Sequence, residues 1–318
     1  MANRTSGLVM LFPGQGSQAA GMGKELSSNH QVARRTFEEA DEALGYSLST
    51  LCFEGPDEQL RLTEITQPAI LTVSIAAYRV LAEAGILPSF VAGHSLGEYS
   101  AHVAAGTLTF ADAVRTVRNR GKYMQEAVPV GVGAMAAILA LPLETIREAC
   151  KEAAAQFAGE SCEPANINSP GQVVISGSKA SVEKAAELCK QKGAKRAVML
   201  PVSAPFHCSL MQPAQDRLAE DLRVLPFHTP EVPVMCNVEA AAVTDGEKAR
   251  ETLIRQVTGA VQWDSSMRAL VAKGATRFVE VGPGAVLTGL LRQIDKTQSC
   301  VNVENEASFL KCKALFES

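Results

Sequence analysis

The stretch Gly93-His94-Ser95-Leu96-Gly97 spells G-x-S-x-G, with the apolar residues Phe90, Val91 and Ala92 running in and small helix formers, 98–105, running out. Such a segment leaves a strand, turns sharply onto a helix and holds the serine hydroxyl out at the strand tip, where it can attack a carbonyl. The glycines are steric requirements of the turn, because a Cβ there would collide with neighbouring backbone. A tight turn with an incidental serine has the same spelling, so the chemistry depends on what else the chain can bring to Ser95.

A serine hydroxyl needs a base, most often histidine. Five histidines are available. His94 adjoins the serine and points away across the turn, and His102 lies two helical turns on, about 10 Å down the axis. His30 and His228 sit in polar or proline-flanked stretches. His207 differs: it lies in the proline-pinned segment "PVSAPFHCSLMQPA", after an expected strand, and it follows the serine as the base does in α/β-hydrolases. A serine attacking a carbonyl also needs amides facing the developing oxyanion, and the glycine-rich loop "LFPGQGSQAAGMG" after the first strand can present them, as such a loop does in serine hydrolases. Gly14, Gly16 and Ala19 also fit the dinucleotide pattern G-x-G-x-x-A. Against that competitor, Pro13 removes an amide, Gly21 and Gly23 prolong the turn, and the acids Glu38, Glu39 and Asp41 fall mid-helix. The loop 282–289 lacks the Lys-Ser/Thr ending of a P-loop and reads as structural.

The positioning elements follow from the hydrophobic pattern. Leu8–Phe12 is an expected strand, Gln31–Leu44 a helix, 68–85 a second long helix and 90–92 the strand entering the elbow. This alternation predicts a parallel sheet with helices on its faces. Thr109 with Asp112 caps a further helix, on which Phe110, Val114, Val117, Gly121 and Met124 form the inner stripe. Arg118 and Arg120 flank that stripe on opposite sides. After Pro129 the pattern changes to strand 134–141, helix 143–157, strands 165–167 and 172–176 joined by the turn "NSPG", helix 181–192 and strand 196–200. The order β-α-β-β-α-β predicts a ferredoxin-like unit. It interrupts a larger α/β domain that resumes near Pro201 and includes a strand at 278–281.

With 318 residues and 47% hydrophobic residues, the chain can bury a sizeable core of about two domains. A net charge of −4 without a polybasic tail argues against nucleic-acid binding. Residues 1–7 are polar, and the apolar run behind them is too short for a secretory signal. The most apolar window, 69–87, contains Arg79 and Glu83 and reads as a buried helix rather than a membrane span. The eight cysteines show no C-x-x-C pairing and no clustering with histidine, so neither a metal site nor a disulfide framework is implied. They read as small buried hydrophobes of a cytoplasmic protein.

In order and at family spacing, "LFPGQGSQAAGMG", "TQPAI", "AGHSLGEYSA", "RGKYMQEAVP", "PVSAPFHCSLMQPA", "VQW" and "EVGPGAVLTGLL" resemble the malonyl-CoA:acyl carrier protein transacylase family over residues 8 to about 295. The resemblance implies an α/β-hydrolase-like core, 1–129 and 202–318, with an inserted ferredoxin-like subdomain, 130–201. It implies transfer of malonyl from malonyl-CoA to the phosphopantetheine thiol of acyl carrier protein, with no cofactor, metal, nucleic acid or membrane. A thioesterase on the same Ser-His pair is the alternative. Carried over residue by residue, Ser95 is the nucleophile, His207 its base, and the amides of Gln15 and Leu96 the oxyanion donors. The main-chain carbonyl of Gln256 stands where a triad would have its acid, and Arg120 receives the malonyl carboxylate. Phe206, before the histidine, resembles the malonyl-selective domains of larger synthases and implies discrimination against an α-methyl branch, whereas Pro205 follows the bacterial pattern.

Overall fold

The computed structural model describes residues 4–157 and 159–317. Residues 1–3 of the polar opening, Ala158 and Ser318 lie outside that description. The chain forms a mixed α/β structure with two sheets, whose strands in sequence order are β1 (Leu8–Phe12), β2 (Phe90–Gly93), β3 (Gly133–Leu139), β4 (Cys162–Ser169), β5 (Gln172–Ser178), β6 (Arg196–Met199), β7 (Val234–Met235), β8 (Ala242–Val243), β9 (Arg277–Val281) and β10 (Cys300–Val303). The larger sheet has the order β10-β9-β1-β2-β7-β8 and is parallel except for its last pair.

β1 lies near the middle of this sheet and is buried throughout. Its unbroken apolar run, LVMLF, suits a strand covered on both faces. Leu8, Met10 and Phe12 enter one core with the helix Thr63–Glu83, while Val9 and Leu11 enter a second core with Trp263 and the helix Val286–Ile294. That is the period-two alternation of a strand with helices on either side. The register sets Phe12 beside Gly93, so the glycine loop after β1 and the turn after β2 emerge together.

The smaller sheet, β4-β5-β3-β6, is antiparallel throughout. The helices Leu143–Ala154 and Lys179–Gln191 cover one face through a separate core that includes Ile138, Ile146, Ile175 and Val182. Two backbone hydrogen bonds, Ile167 N to Val261 O and Val261 N to Ala165 O, both 2.8 Å, tie β4 to the larger half. Gly133 packs against the Pro205 ring so tightly that a Cβ would lie 2.3 Å from the Pro205 Cγ. The segment carrying His207 therefore crosses from one half to the other against a fixed surface.

Several boundaries differ from the sequence expectation. The long helix begins at Thr63 rather than 68, with Pro68 inside it, because Thr66 Oγ1 donates to the Leu60 and Leu62 carbonyls and secures the first turn. It ends at Glu83, before Gly85 at φ 77°, and is almost wholly buried as a core helix. β4 is eight residues long rather than three, since Pro164 and its register shifts on an edge strand hide the alternation. Among the described residues all eight cysteines are free, and all but the half-buried Cys300 are buried.

Candidate active site

The turn after β2 is built by exclusion. A Cβ on Gly93 would lie 1.9 Å from the Gly97 carbonyl carbon, and one on Gly97 would lie 2.0 Å from the Phe12 carbonyl oxygen. Ser95 itself sits at φ 52°, a left-handed conformation that a non-glycine residue adopts only where its surroundings hold it. Asn237 and Gln256 provide that hold. Ser95 N donates to Asn237 Oδ1 at 2.7 Å, Asn237 Nδ2 donates to the Gly93 carbonyl at 2.7 Å, and Gln256 Nε2 donates to the Ser95 carbonyl at 2.9 Å.

Ser95 Oγ lies 2.7 Å from His207 Nε2. The other ring nitrogen, Nδ1, faces the carbonyls of Gln256 at 2.9 Å and Gly259 at 3.2 Å. Carbonyls only accept, so Nδ1 carries the proton and Nε2 presents its lone pair to the serine hydroxyl. Burial, and then the Arg120 charge, push the His207 pKa down to about 3, so the imidazole is neutral at physiological pH. His207 is also held at positive φ, 59°.

Arg120 is buried, and its position follows from Gly121. A Cβ there would lie 2.5 Å from the Thr63 carbonyl oxygen, so glycine lets the helix Phe110–Ala127 close onto the helix Thr63–Glu83. Nη1 donates to Gln67 Oε1 at 2.8 Å, while Nη2 donates to Gln256 Oε1 at 3.0 Å and to Ser95 Oγ at 3.1 Å. The guanidinium lies 5.7 Å from the Tyr99 ring centroid. Among the described residues no carboxylate pairs with it and its Nε has no acceptor. Desolvation holds its pKa below the usual arginine value, as expected of a buried cation without a counter-ion in contact.

A cavity of about 800 Å³ opens onto these groups, lined among others by Gln15, Ser95, Leu96, Arg120, Phe206 and His207. The backbone amides of Gln15 and Leu96 meet no protein acceptor among the described residues. Met135 on β3 and Leu200 just after β6 line it as well, so segments from beside both sheets contribute to the cavity.

Ser95, His207, Gln15, Leu96, Arg120 and Phe206 thus all line one cavity, and the Gln256 carbonyl meets the His207 ring. Among the other histidines, His94 lines the cavity but engages Asn168 Oδ1 through Nε2 at 2.8 Å, His102 is fully buried with no partner on either nitrogen among the described residues, and His30 pairs with Glu306. Arg118 stacks over Tyr46. The glycine loop does not open directly onto a helix, as a dinucleotide cradle would; the next helix begins only at Lys24. Sequence reasoning missed Asn237, Gln67, Glu98 and the side-chain role of Gln256. Gln67 and Glu98 lie within the motifs "TQPAI" and "AGHSLGEYSA", while Asn237 has no local signal.

Residues 9–309 match the family described as acyl transferase domain. The chain belongs to the acyl transferase family. This acyl transferase is 52% identical over 290 residues to the malonyl CoA-acyl carrier protein transacylase of Escherichia coli strain K12, covering 91% of this chain and 93% of the relative. It is 49% identical over 300 residues to that of Bacillus subtilis strain 168, covering 94% of each. A crystal structure of an acyl carrier protein S-malonyltransferase from Vibrio cholerae superposes with a TM-score of 0.94 at 49% identity, covering 96% of this chain and all of that one. A malonyl-transacylase solved in complex with its type II polyketide synthase acyl carrier protein superposes with a TM-score of 0.94 at 47% identity, covering 97% and 99%.

Proposed function

We propose that this acyl transferase moves malonyl from malonyl-CoA to the phosphopantetheine thiol of acyl carrier protein through a malonyl ester on Ser95, supplying fatty acid elongation in the cytoplasm. The observation that carries the reading is the buried guanidinium of Arg120, 3.1 Å from the nucleophilic oxygen and without a carboxylate partner among the described residues. An acyl group bearing its own carboxylate supplies that partner at the reacting centre, and the planar fork of arginine suits it.

In the first half-reaction His207 Nε2 takes the Ser95 hydroxyl proton as Oγ attacks the thioester carbonyl. The tetrahedral oxyanion accepts from the Gln15 and Leu96 amides. Collapse breaks the carbon–sulfur bond, and the leaving coenzyme A thiolate takes the proton back from Nε2. In the second half-reaction Nε2 takes the carrier thiol's proton, the sulfur attacks the serine ester, and the proton returns to Ser95 Oγ as malonyl leaves on the carrier. The neutral carbonyls of Gln256 and Gly259 orient the base without a third-residue carboxylate. Arg120 disfavours the imidazolium, so a malonyl carboxylate that neutralises Arg120 also makes His207 a better base. Phe206 is half-buried on the cavity wall, where its ring disfavours a branch at the α-carbon.

The relatives' names support transfer rather than a thioesterase. We read the larger half, 1–129 and 202–318, as α/β-hydrolase-like and 130–201 as ferredoxin-like. The smaller sheet supports this reading: taken in chain order, its four strands lie as second-third-first-fourth, all antiparallel. The test is intact-mass spectrometry after mixing with malonyl-CoA alone. A stable malonyl adduct on Ser95 that discharges to holo-carrier protein is expected, and turnover to free malonate without an adduct overturns the reading.

A further inference from the structure

Glu98, three residues past the nucleophile on the helix Gly97–Ala104, is fully buried and takes no direct part in the chemistry above. Its Oε2 accepts from Gln256 Nε2 at 2.6 Å and from Asn237 N at 3.1 Å, and Oε1 has no partner among the described residues. Those two residues also hold Ser95, Asn237 through the serine amide and Gln256 through the serine carbonyl. The Gln256 amide is thus a relay with a fixed sense: its NH₂ group faces Glu98 and the Ser95 carbonyl, and its oxygen faces Arg120 at 3.0 Å. Were that amide reversed, its NH₂ would meet the guanidinium, donor against donor, and its oxygen would meet two acceptors.

We propose that Glu98 is a positioning residue for acyl selection: through the Gln256 amide it fixes Arg120, and its carboxylate competes with the malonyl carboxylate for the Arg120 charge. The inference rests on the malonyl-transfer reading.

A buried carboxylate beside an arginine to which it is only indirectly bonded is poised between two charge states. Desolvation pushes the Glu98 pKa up to about 7, against the donors and Arg120, which act to lower it. Besides Arg120, the titratable groups coupled to Glu98 are Tyr99, next on its own helix, and Cys236 after β7, and burial holds both neutral at that pH. A protonated Glu98 leaves Arg120 free to pair with the incoming malonyl carboxylate. An ionised Glu98 repels it, since like charges near one cation disfavour each other. Acetyl brings no carboxylate to be repelled, so an ionised Glu98 acts against malonyl alone.

The experiment is competitive loading of Ser95 from equimolar malonyl-CoA and acetyl-CoA, read as the ratio of adduct masses from pH 6 to 8.5. The ratio cancels what both acyl groups share, including titration of the base. In the native protein the ratio falls by several-fold as pH rises through about 7. Glu98→Gln keeps an acceptor toward Gln256 and Asn237 but carries no charge, and its ratio is flat with pH at or above the native acid value. Glu98→Ala removes the acceptor and frees the relay; its ratio drops by roughly tenfold, the worth of a hydrogen bond to a charged group. If Glu98→Ala does not fold, the comparison of native protein with Glu98→Gln decides alone. A native ratio independent of pH, or a Glu98→Gln ratio that still falls with pH, overturns the proposal. Failure of the native protein to form any malonyl adduct instead overturns the functional reading beneath it.

Discussion

β1 has no residue exposed, whereas three of the four residues of β6 face solvent. The two strands belong to the two sheets that share the active-site cavity, and the contrast separates what they contribute. The parallel sheet delivers Ser95 from a turn in which neighbouring backbone excludes even a methyl group. The antiparallel unit supplies a wall and the approach to the segment bearing Phe206 and His207. On the proposed function, bond making falls beside the sheet with no slack and access beside the sheet with an open edge.

The largest expected effect breaks the first assignment. Ser95→Ala abolishes both half-reactions, a loss on the order of 10⁴-fold or more for a serine nucleophile, while circular dichroism and the melting transition stay native. Detection of a malonyl adduct on this variant would sink the assignment of the nucleophile. A pair of glycine substitutions then sharpens the comparison in stability. Gly97→Ala forces a methyl into the Phe12 carbonyl, so it costs about 3 kcal/mol or more. Gly171→Ala, in the β4–β5 turn, meets nothing within 4 Å and stays within about 0.5 kcal/mol of native. Denaturant midpoints at unchanged m-value report both; equal effects would mean that the elbow is not the tighter region.

Arg120→Ala tests whether the buried half also reads the acyl group. Hydrogen bonds to a charged partner contribute about 1.5 to 3 kcal/mol, so malonyl-over-acetyl discrimination falls on the order of 10- to 100-fold. Acetyl gains as malonyl loses, because it no longer leaves a buried guanidinium unpaired. An unchanged adduct ratio from equimolar malonyl-CoA and acetyl-CoA would make Arg120 structural and place carboxylate recognition elsewhere.

The same contrast explains what the sequence made legible. Elements with strong periodicity or a fixed backbone requirement were plain: Leu8–Phe12 and Gln31–Leu44 match to the residue, and Thr109 caps its helix by accepting from Asp112 N. The two-residue strands β7 and β8 are too short to show a period, and the helices Gln212–Val224, Gly246–Gln256 and Trp263–Ala272 lie outside the elements expected from the sequence. Ser95 and His207, which meet at 2.7 Å, are legible because a glycine-framed turn and a proline-pinned loop advertise themselves. Asn237 is not, because it lies 142 residues from the serine amide it accepts from, and only β7 pairing with β2 brings it there. Arg120 looked like a flank of the helix stripe; its burial depends on Gly121, whose missing side chain acts on the partner helix.

The smallest expected effect concerns the open edge. Lys190, Lys192, Lys195 and Arg196 are exposed where the helix Lys179–Gln191 turns into β6, and of these only Lys192 has an ion-pair partner among the described residues, Glu152 at 3.4 Å. Val198 and Met199 are exposed on the same strand, and the chain continues into Leu200 to Ser203 on the cavity wall. On the proposed function, a cationic rim with apolar side chains leading to the cavity suits a carrier protein that presents a negatively charged face and delivers its pantetheine arm. Exposed charges of this kind contribute about 0.2–1 kcal/mol each, acting mainly on the association rate and fading above roughly 0.15 M salt. Reversing all four therefore slows transfer from malonyl-Ser95 to the carrier several-fold at low salt and little at high salt. Loading from malonyl-pantetheine, which lacks the phosphates of coenzyme A, stays native and serves as the control. A transfer rate unaffected at low salt would leave the cluster as the solvated end of a helix, and the carrier would have to approach over the larger half.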